Sequence, residues 1–462
     1  IYKKTPHFFR VFLLRRRPRI LRDSNSFFRS AWVRTIEREG CMMRHYTSVV
    51  FGLVILSVAS ASWGQDASDR WRVVHAGTLL SSPGTLPLEH QTLVIKNDRV
   101  DRIVSGFATP ESLDLSDAET INLQDHFVLP GLVDMHVHLT SDRSVSLPGV
   151  DAGRDVYSMT IGIRNARKTL HAGYTTVRNP GSAGWSIFAL RDGIQSGDLE
   201  GPRLFVAGHT IRIGTDGSSG SCYSVDSCRQ AVRRQIAMGA DFIKVYATCS
   251  GAQPCAHEKA PAVFMLDELK AVVETAKTRE LKVAAHAHTT AGINLALQAG
   301  VDSVEHASWL NDTSYHLLLE SGGYVVPTLM VKDMIRRGLG NRDPATRARL
   351  ERSLVEHPRR VAEAFAAGVK IASGSDAGVV PHGRNARELE WYVDIGLSEM
   401  EAIVTATVNA ADLLGQSEHL GTLEPGKLAD VIAVPESPLE NISELFNVDF
   451  VMKAGKVYKN AR

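Results

Sequence analysis

Residues 127–139 read FVLPGLVDMHVHL, and the two histidines that close this stretch, His136 and His138, are the starting point for interpreting the chain. The apolar run before them predicts a buried β-strand. Because side chains alternate between the faces of a strand, histidines at positions i and i+2 point to the same side. Two neutral imidazoles on one face can bind a divalent transition metal. The pair alone is weak evidence, since it could equally be incidental.

Predicted strands and helices alternate between residues 127 and 416. Eight strand–helix units of this kind predict a closed parallel barrel, the TIM (β/α)8 fold. The alternative is an open, doubly wound sheet, which usually has five or six strands and a glycine-rich phosphate loop after the first. The predicted strands are 127–139, 173–179, 203–211, 241–248, 282–288, 303–307, 324–330 and 370–376.

Short β patterns flank this region on both sides. Residues 71–126 include WRVVHAGTLL and QTLVIKNDRVDRIVSGF, and the chain after residue 420 includes LGTLEPGKLADVIAVP and FVMKAGKVY. Each segment is too small to form a stable sheet alone. We therefore expect an α/β fold in which residues 65–126 and 417–462 form one small composite β-sandwich domain next to a barrel formed by residues 127–416.

The N-terminal part has a different composition. Residues 1–44 carry twelve Lys and Arg against three Asp and Glu, whereas the whole chain has a formal charge of +1. A nucleic-acid-binding arm is one interpretation. However, MMR at 42–44 followed by the apolar run at 48–61 is typical of a secretory signal peptide. We expect an upstream extension at 1–41, a signal peptide at 42–64 and an exported, periplasmic or secreted protein. An uncleaved membrane anchor is the alternative, although the apolar run is short for one.

Four cysteines lie beyond the predicted signal peptide: Cys222, Cys228, Cys249 and Cys255. In an exported protein, cysteines spaced in this way are expected to form disulfides. Three pairings are open, and a structural zinc site or four free thiols are the alternatives. All four cysteines fall in the loops after the third and fourth predicted barrel strands. Our hypothesis is that disulfides rigidify a lid over the substrate pocket.

Polar side chains recur at the ends of the predicted barrel strands, where active sites of parallel barrels form. Each has an ordinary structural explanation, such as a strand-end hydrogen bond or a helix cap. A lysine in an apolar strand is the least ordinary, because removing an ammonium group from water is costly. Their coincidence at one end of one barrel favours a metal site. The residues are His136, His138, Lys244, His286, His288, Glu305, His306 and Asp376.

Taken together, these motifs resemble the metal-dependent amidohydrolase superfamily. The nearest branch is the imidazolonepropionase-related, prolidase-like group of peptidases with two metals, which includes Xaa-Pro dipeptidases and carboxypeptidase-like enzymes. The resemblance covers residues 70–460. It depends on PGLVDMHVH, GYTTVR, ADFIKVYATCSGA, VAAHAH, VDSVEHA, SGSDAGVVPHGRNARELE and GTLEPGKLADVIAV. The last motif alone would indicate only the superfamily.

The resemblance implies a centre of two divalent metal ions, for which the histidine-rich ligand set favours zinc over manganese or cobalt. Lys244, carboxylated on its amine by carbon dioxide, would bridge the two ions. The family motifs imply one ligand set for each ion: His136, His138 and Asp376 for the more buried ion, and His286 and His306 for the second. His288 competes with His286, and the family pattern favours His286 as the ligand.

Asp376 is implied to be the catalytic residue as well as a ligand. It would orient a hydroxide that bridges the two metals, take the proton as this hydroxide attacks a carbonyl, and pass it to the leaving amine. The resemblance thus implies a metal-dependent hydrolase of C–N bonds.

The implied substrate carries an amide bond next to a free carboxylate, as in a dipeptide, an N-acyl amino acid or a mycotoxin amide. The alternative is hydrolysis of a cyclic amide, lactone or imidazolone-type ring at the same site, and the third hypothesis is a non-catalytic metal-binding protein. Tyr246 could equally be a packing aromatic, and Arg178 could equally be part of an internal ion pair. The ion pair is weakened as a prediction because Asn179 follows Arg178 where the family commonly has Asp. The candidate substrate contacts are Tyr246, His382, Arg178, His209 and His288.

The charge balance bears on the partners. Beyond the N-terminal segment the mixed surface offers no basic stripe, so we expect no nucleic-acid partner. We expect a small-molecule substrate, no stable membrane partner and a homo-oligomer.

Overall fold

The computed structural model describes most of the chain beyond the predicted signal peptide. The predicted extension at 1–41, the signal peptide at 42–64 and Cys255 lie outside the described residues. Within the described part, no helix has the length and apolar character needed to cross a membrane. The described residues are 69–142, 154–182, 184–249, 253 and 257–461.

The strands are numbered in chain order. Their bounds are β1 (Trp71–Leu79), β2 (Leu88–Lys96), β3 (Arg99–Ser105), β4 (Glu119–Pro130), β5 (Leu132–Asp134), β6 (Tyr174–Asn179), β7 (Arg203–Val206), β8 (Arg212–Ile213), β9 (Ser221–Cys222), β10 (Ile243–Tyr246), β11 (Val283–Ala287), β12 (Ser303–His306), β13 (Tyr324–Val326), β14 (Lys370–Ile371), β15 (Val431–Val434), β16 (Phe450–Lys453) and β17 (Lys456–Asn460).

The helices are numbered in the same way. Their bounds are α1 (Arg154–His171), α2 (Ser186–Gln195), α3 (Val225–Ala237), α4 (Leu266–Lys277), α5 (Thr290–Ala299), α6 (Asp312–Ser321), α7 (Val331–Gly338), α8 (Pro344–Ala366), α9 (Arg387–Asp394), α10 (Glu399–Thr405) and α11 (Val408–Leu414).

A seven-stranded mixed sheet joins strands from the two flanking segments in the order β17-β16-β15-β4-β1-β2-β3. In its middle, β4 runs parallel to β1 and antiparallel to β15, with Val128 opposite Ala433. Val74, Leu93 and Phe450 belong to the buried apolar cluster of this sheet. The two flanking segments therefore do pair with each other. That they form a sandwich stays a prediction, as do the domain boundaries at 65–126, 127–416 and 417–462.

Eight parallel strands form two further sheets, β5-β6-β7 and β10-β11-β12-β13-β14. Each of the eight predicted barrel strands contains one of them. Main-chain hydrogen bonds extend beyond the sheets: the Met135 amide donates to the Ser373 carbonyl at 2.8 Å, and the Ile211 amide donates to the Lys244 carbonyl at 2.7 Å. Parallel strands alternating with helices define an α/β fold.

The first predicted strand, 127–139, was wrong in its extent. Its first half belongs to β4 of the mixed sheet, and β5 then begins in a parallel sheet. The switch falls at Pro130-Gly131, and a side chain at Gly131 would meet Thr175, because a Cβ there would lie 2.2 Å from Oγ1. Only glycine allows this close approach. His136 and His138 therefore follow the strand instead of lying within it.

Candidate metal centre

A cavity of about 320 Å³ lies where the parallel strands end. Most of the sequence-predicted metal residues contribute to its lining, although they are spread from the first parallel strand to the loop after the last. The first and last of these residues along the chain are in main-chain contact, because the Asp376 amide donates to the His136 carbonyl at 2.7 Å. The predicted metal residues in the lining are His136, His138, Lys244, His286, His288, His306 and Asp376.

Asp376 lies between the first two histidines. Its Oδ1 atom is 3.5 Å from Nε2 of His138 and 3.8 Å from Nε2 of His136. Potential ligand atoms of His136, His306 and Asp376 lie within 4.8 Å of one another. These distances are short enough for one ion to bind several of these groups at once.

A second group of three histidines adjoins the first. Potential ligand atoms of His286, His288 and His306 also lie within 4.8 Å of one another. The ring centroids of His286 and His306 are 4.6 Å apart, and the His288 ring stacks on His306 at 4.8 Å. His306 thus belongs to both groups. The geometry brings His288 as close as His286, so it does not decide which of the two is the ligand.

Each imidazole of the centre uses one ring nitrogen for a hydrogen bond to the surrounding protein. Such bonds fix the orientation and tautomer of a metal-binding histidine. For four rings this leaves Nε2 for the centre, while His286 bonds through Nε2 and leaves Nδ1. The pairs are His136 Nδ1 with Glu305 (2.6 Å), His138 Nδ1 with the Gly181 carbonyl (2.9 Å), His288 Nδ1 with Ser308 (2.8 Å), His306 Nδ1 with Thr328 (2.8 Å) and His286 Nε2 with the Cys249 carbonyl (3.2 Å).

Burial keeps these imidazoles neutral. It is the largest cause that lowers the pKa of His136, His286 and His306 well below the ordinary value, and it lowers the pKa of His288 to about 3. A neutral imidazole has a lone pair available for a metal, whereas an imidazolium does not. The electrostatics therefore match the ligand role.

Lys244 is the most unusual residue of the centre. Its side chain is 1% exposed, and among the described residues its Nζ atom has no hydrogen-bond partner. Burial lowers its pKa to about 8, although Glu305 and Asp376 act in the opposite direction. A buried amine without a partner is costly unless something else satisfies it.

Arg178 does not lie where a substrate contact is required. Its guanidinium is buried away from the described lining of the cavity, where Nη2 donates to Glu305 at 2.6 Å and Nε donates to the Met135 carbonyl at 2.7 Å. Burial alone would raise the pKa of Glu305, but Arg178, Lys244 and His136 together lower it. Arg178 therefore holds the carboxylate that orients His136. The internal ion pair exists, but with Glu305 instead of the residue at position 179.

The other predicted substrate contacts are divided. Tyr246, which is 39% exposed, and His288 line the cavity. His382 is buried between the Thr169 hydroxyl at 3.0 Å and the His138 carbonyl at 3.3 Å. His209 accepts a hydrogen bond from the Gly184 amide at 3.0 Å. Neither His382 nor His209 belongs to the described cavity lining. Both side chains instead form hydrogen bonds within the fold.

Strained backbone marks three strand ends of the site. His306, Thr328 and Asp376 have φ angles of 67°, 55° and 57°. This left-handed region is unfavourable for non-glycine residues and is concentrated at functional sites. The surrounding hydrogen bonds hold these three residues there, which turns their side chains towards one centre.

Two helices complete the cavity, and the sequence analysis missed their contribution. Lys332 on α7 and Ser353 and His357 on α8 line it. The signal was present in the sequence: Leu350, Ser353 and His357 follow an i, i+3, i+7 pattern that puts them on one helix face. Two polar residues on an otherwise apolar face indicate a polar lining.

The structure resolves part of the cysteine question. Cys222 and Cys228 form a disulfide, and Cys249 is also disulfide-bonded. Free thiols and a structural zinc site are therefore wrong for these three. Cys222 and Cys228 are fully buried in an apolar cluster and are absent from the described cavity lining. The lid hypothesis is wrong for this disulfide, because it lies in the core.

Comparison with known proteins places this geometry in context. The model of the amidohydrolase family matches residues 127–458. The chain is 31% identical to an ochratoxinase from Aspergillus niger over 424 residues, which cover 84% of this chain and 86% of that protein. A crystal structure of a Xaa-Pro dipeptidase with bound methionine in the active site superposes with a TM-score of 0.77 at 34% identity, covering 84% of this chain and 100% of the other. A prolidase complexed with N-methylphosphonate-L-proline gives 0.74 at 26% identity, with coverages of 84% and 100%.

Proposed function

The chain belongs to the amidohydrolase family and is a hydrolase of C–N bonds, and we propose that it is a two-metal enzyme that cleaves an amide next to a free carboxylate. Dipeptides and N-acyl amino acids, mycotoxin amides included, are the proposed substrates. One observation carries the proposal: five histidines, an aspartate and a buried lysine, whose Nζ atom has no hydrogen-bond partner among the described residues, meet at one cavity.

The proposal includes a closed barrel. We infer that the three-stranded and five-stranded parallel sheets join into one (β/α)8 barrel, because main-chain hydrogen bonds link their outer strands. Met135 bonds to Ser373 on one side, and Ile211 bonds to Lys244 on the other. Closure would bring all eight strand ends to one mouth, which is where barrel active sites form.

The donor set fits two divalent ions. Neutral imidazoles and a carboxylate are good ligands for zinc and related metals. Lys244, whose Nζ atom has no hydrogen-bond partner in the part of the chain that the structure describes, lines the same cavity. When bound, the ions would supply Lewis acidity and make water a nucleophile at neutral pH. The residues that would hold them are His136, His138, Lys244, His286, His306 and Asp376, with His288 adjacent.

Lys244 would act as a bridging ligand after carboxylation. Its neutral amine forms an N–C bond with carbon dioxide and releases a proton, which gives a carbamate with one negative charge and two oxygens. Such a group satisfies the buried position better than a bare amine, because its oxygens can contact two cations. The modification explains why an apolar strand carries this lysine.

Asp376 would move the proton. Its carboxylate is held against His136 and His138, and its main chain is tied to the His136 carbonyl. It would take a proton from the attacking water at Oδ1 and deliver it to the nitrogen of the leaving amine. A positioned general acid and base of this kind contributes roughly 10²- to 10⁴-fold to the rate.

A substrate screen tests the proposal. The protein, loaded with zinc, manganese or cobalt, is incubated with dipeptides and N-acyl amino acids, and the free amino acid is measured. We expect release that depends on the metal and is lost in Asp376→Asn. Hydrolysis only of cyclic amides, lactones or imidazolones, or release that chelators do not affect, would contradict the proposal.

Export and assembly are separate proposals. The signal-peptide pattern at 42–64 supports an exported, periplasmic or secreted enzyme, and N-terminal sequencing of the exported protein is expected to begin near residue 65. A cytoplasmic, uncleaved product would refute this. We also propose a homo-oligomer, which a mass above that of one chain in light scattering would support and a monomer would contradict.

A further inference from the structure

One wall of the cavity is helical and has no part in the proposed metal chemistry. We call it the helical wall and define it by the lining residues of two helices. It carries both charged and apolar side chains, and its members are Val331, Lys332, Met334, Ile335 and Gly338 from α7 and Arg349, Leu350, Ser353 and His357 from α8.

Lys332 is the buried amine of this wall, and burial lowers its pKa to about 7, although Glu388 acts in the opposite direction. It is only 4% exposed, and its Nζ atom donates to the Ser353 hydroxyl at 2.8 Å. An ammonium group has three donors. Within the described part of the chain, however, no carboxylate oxygen lies within 4.0 Å of the Lys332 Nζ atom, the distance that defines an ion pair. Burying a positive charge without a counterion is unfavourable. The position therefore suits an anion that arrives with a ligand.

Glu388 is the acidic group that acts on Lys332, and it does not serve as a counterion. Its carboxyl accepts the amides of Leu329 and Met330 at 2.8 Å and 2.6 Å. Burial raises its pKa to about 8, so the neutral form predominates at neutral pH. Glu388 instead fixes the start of α7, and with it the position of Lys332 relative to the centre.

His357 supplies an independent indication of a ligand. It is 2% exposed, and neither ring nitrogen makes a well-formed hydrogen bond to a described residue. It follows Ser353 by four positions, so both lie on one face of α8. The main chain of His306 approaches this ring, which joins the wall to the metal centre.

Apart from Arg349, most of the rest of the wall is apolar. Val331, Met334, Ile335 and Leu350 line the same cavity as the polar group. The wall thus has a buried amine, which an arriving carboxylate would keep protonated, two neutral polar groups and an apolar part. It is complementary to an amino acid that has a carboxylate and an apolar side chain.

We propose that Lys332, assisted by Ser353 and His357, binds the free carboxylate of the substrate, while the apolar part of the helical wall receives its side chain. The inference rests on the proposed function, because it names the recognition site for that substrate class. Other cations fit less well: Arg178 is occupied by Glu305, Arg342 is exposed, and Arg349 is only half-buried and already has an interaction of its own.

Paired substrates test the assignment. The metal-loaded wild type and Lys332→Met are compared on N-acetyl-L-phenylalanine and on N-acetyl-L-phenylalaninamide, which has the same scissile bond and no carboxylate. A charged hydrogen bond predicts a loss of kcat/KM of about 10- to 100-fold for the acid, with little change for the amide and partial rescue by Lys332→Arg. The matched control is Arg342→Met, which removes a cation from the exposed part of the lining. Equal losses on both substrates, or a selective loss in Arg342→Met, would overturn the proposal.

A binding measurement separates this inference from the proposed function. Calorimetry on metal-free protein compares L-phenylalanine with L-phenylalaninamide, and thermal melting confirms that each variant is folded. We expect the wild type to prefer the acid and Lys332→Met to lose at least about tenfold of that preference. No preference in the wild type, or a preference that survives the substitution, refutes the carboxylate site even if hydrolysis is observed. Absent hydrolysis with an intact preference refutes the proposed function and supports the carboxylate site.

Discussion

The cavity has two walls that differ in how their polar groups are satisfied. On the strand-end wall, which carries the five histidines of the centre, every imidazole has a hydrogen-bond partner in the surrounding protein. On the helical wall, Lys332 has one hydrogen bond and the ring of His357 has none of normal geometry among the described residues. On the strand-end wall, these hydrogen bonds fix the orientation of the imidazoles, as metal binding requires. The helical wall leaves its polar groups for a ligand, which suits it to substrate selection.

Replacing Lys244 by methionine is expected to have the largest effect on the strand-end wall. Methionine keeps much of the side-chain volume but cannot form a carbamate. We expect kcat/KM to fall by about 10³-fold or more, because metal catalysis contributes several kcal/mol and about 1.4 kcal/mol corresponds to tenfold. Elemental analysis should show fewer than two ions per chain. As a control, Lys370→Met removes a surface pair with Asp412 and should leave both values near wild type. Full activity with two ions in Lys244→Met would refute the bridging role.

Glu305→Gln tests the support behind the strand-end wall. The substitution leaves Arg178 with an uncompensated buried charge and weakens the bond that orients His136. We expect a loss of about 3 kcal/mol in the free energy of unfolding and a roughly 10- to 100-fold loss in metal affinity. Urea unfolding and metal titration measure the two effects. The matched control is Glu119→Gln, whose carboxylate is 59% exposed and pairs with Arg72; less than about 1 kcal/mol is expected for it. Equal losses in both variants would show that Glu305 has no special role.

Glu388→Gln tests the anchor of the helical wall through pH. The folded-state pKa of Glu388 is raised from 4.5 to about 8, so its stabilising contribution is complete below pH 4.5 and is lost as pH rises towards 8. Relative to the variant, the wild type should lose about 1 kcal/mol of unfolding free energy per pH unit across this range. The variant is less stable overall, since an amide group cannot accept both backbone amides. Parallel pH dependences of the two proteins would show that Glu388 is ionised throughout.

Removing the Cys222–Cys228 disulfide is expected to have the smallest effect and to spare both walls. The double variant with alanine at both positions should lose about 2 kcal/mol of unfolding free energy, the value for a short closed loop. Activity should stay within about twofold of wild type, since neither cysteine belongs to the described cavity lining. A large fall in kcat/KM at unchanged stability would show instead that this disulfide supports the substrate pocket.

The two walls also differ in how far the sequence predicted them. The strand-end residues stand out because several histidines, a lysine and an aspartate recur at the ends of predicted strands of one barrel, although each alone has an ordinary explanation. The extent of β5 was missed, since the switch at Pro130-Gly131 depends on contact with Thr175, which is distant in sequence. The sequence left Arg178 open between a substrate contact and an internal ion pair, because its partner, Glu305, comes from another strand. On the helical wall, the spacing of Leu350, Ser353 and His357 marks one face of α8, whereas Lys332 is the buried residue of a short, charged helix, so only packing reveals that it is buried.

Anomalous X-ray diffraction from crystals of the metal-replete protein tests the central claim most directly. The account predicts two peaks at this cavity, one beside Asp376 and one beside His286 and His306, with additional density on the Lys244 amine between them. A single peak, or two ions with an unmodified Lys244 amine that contacts neither, would contradict it.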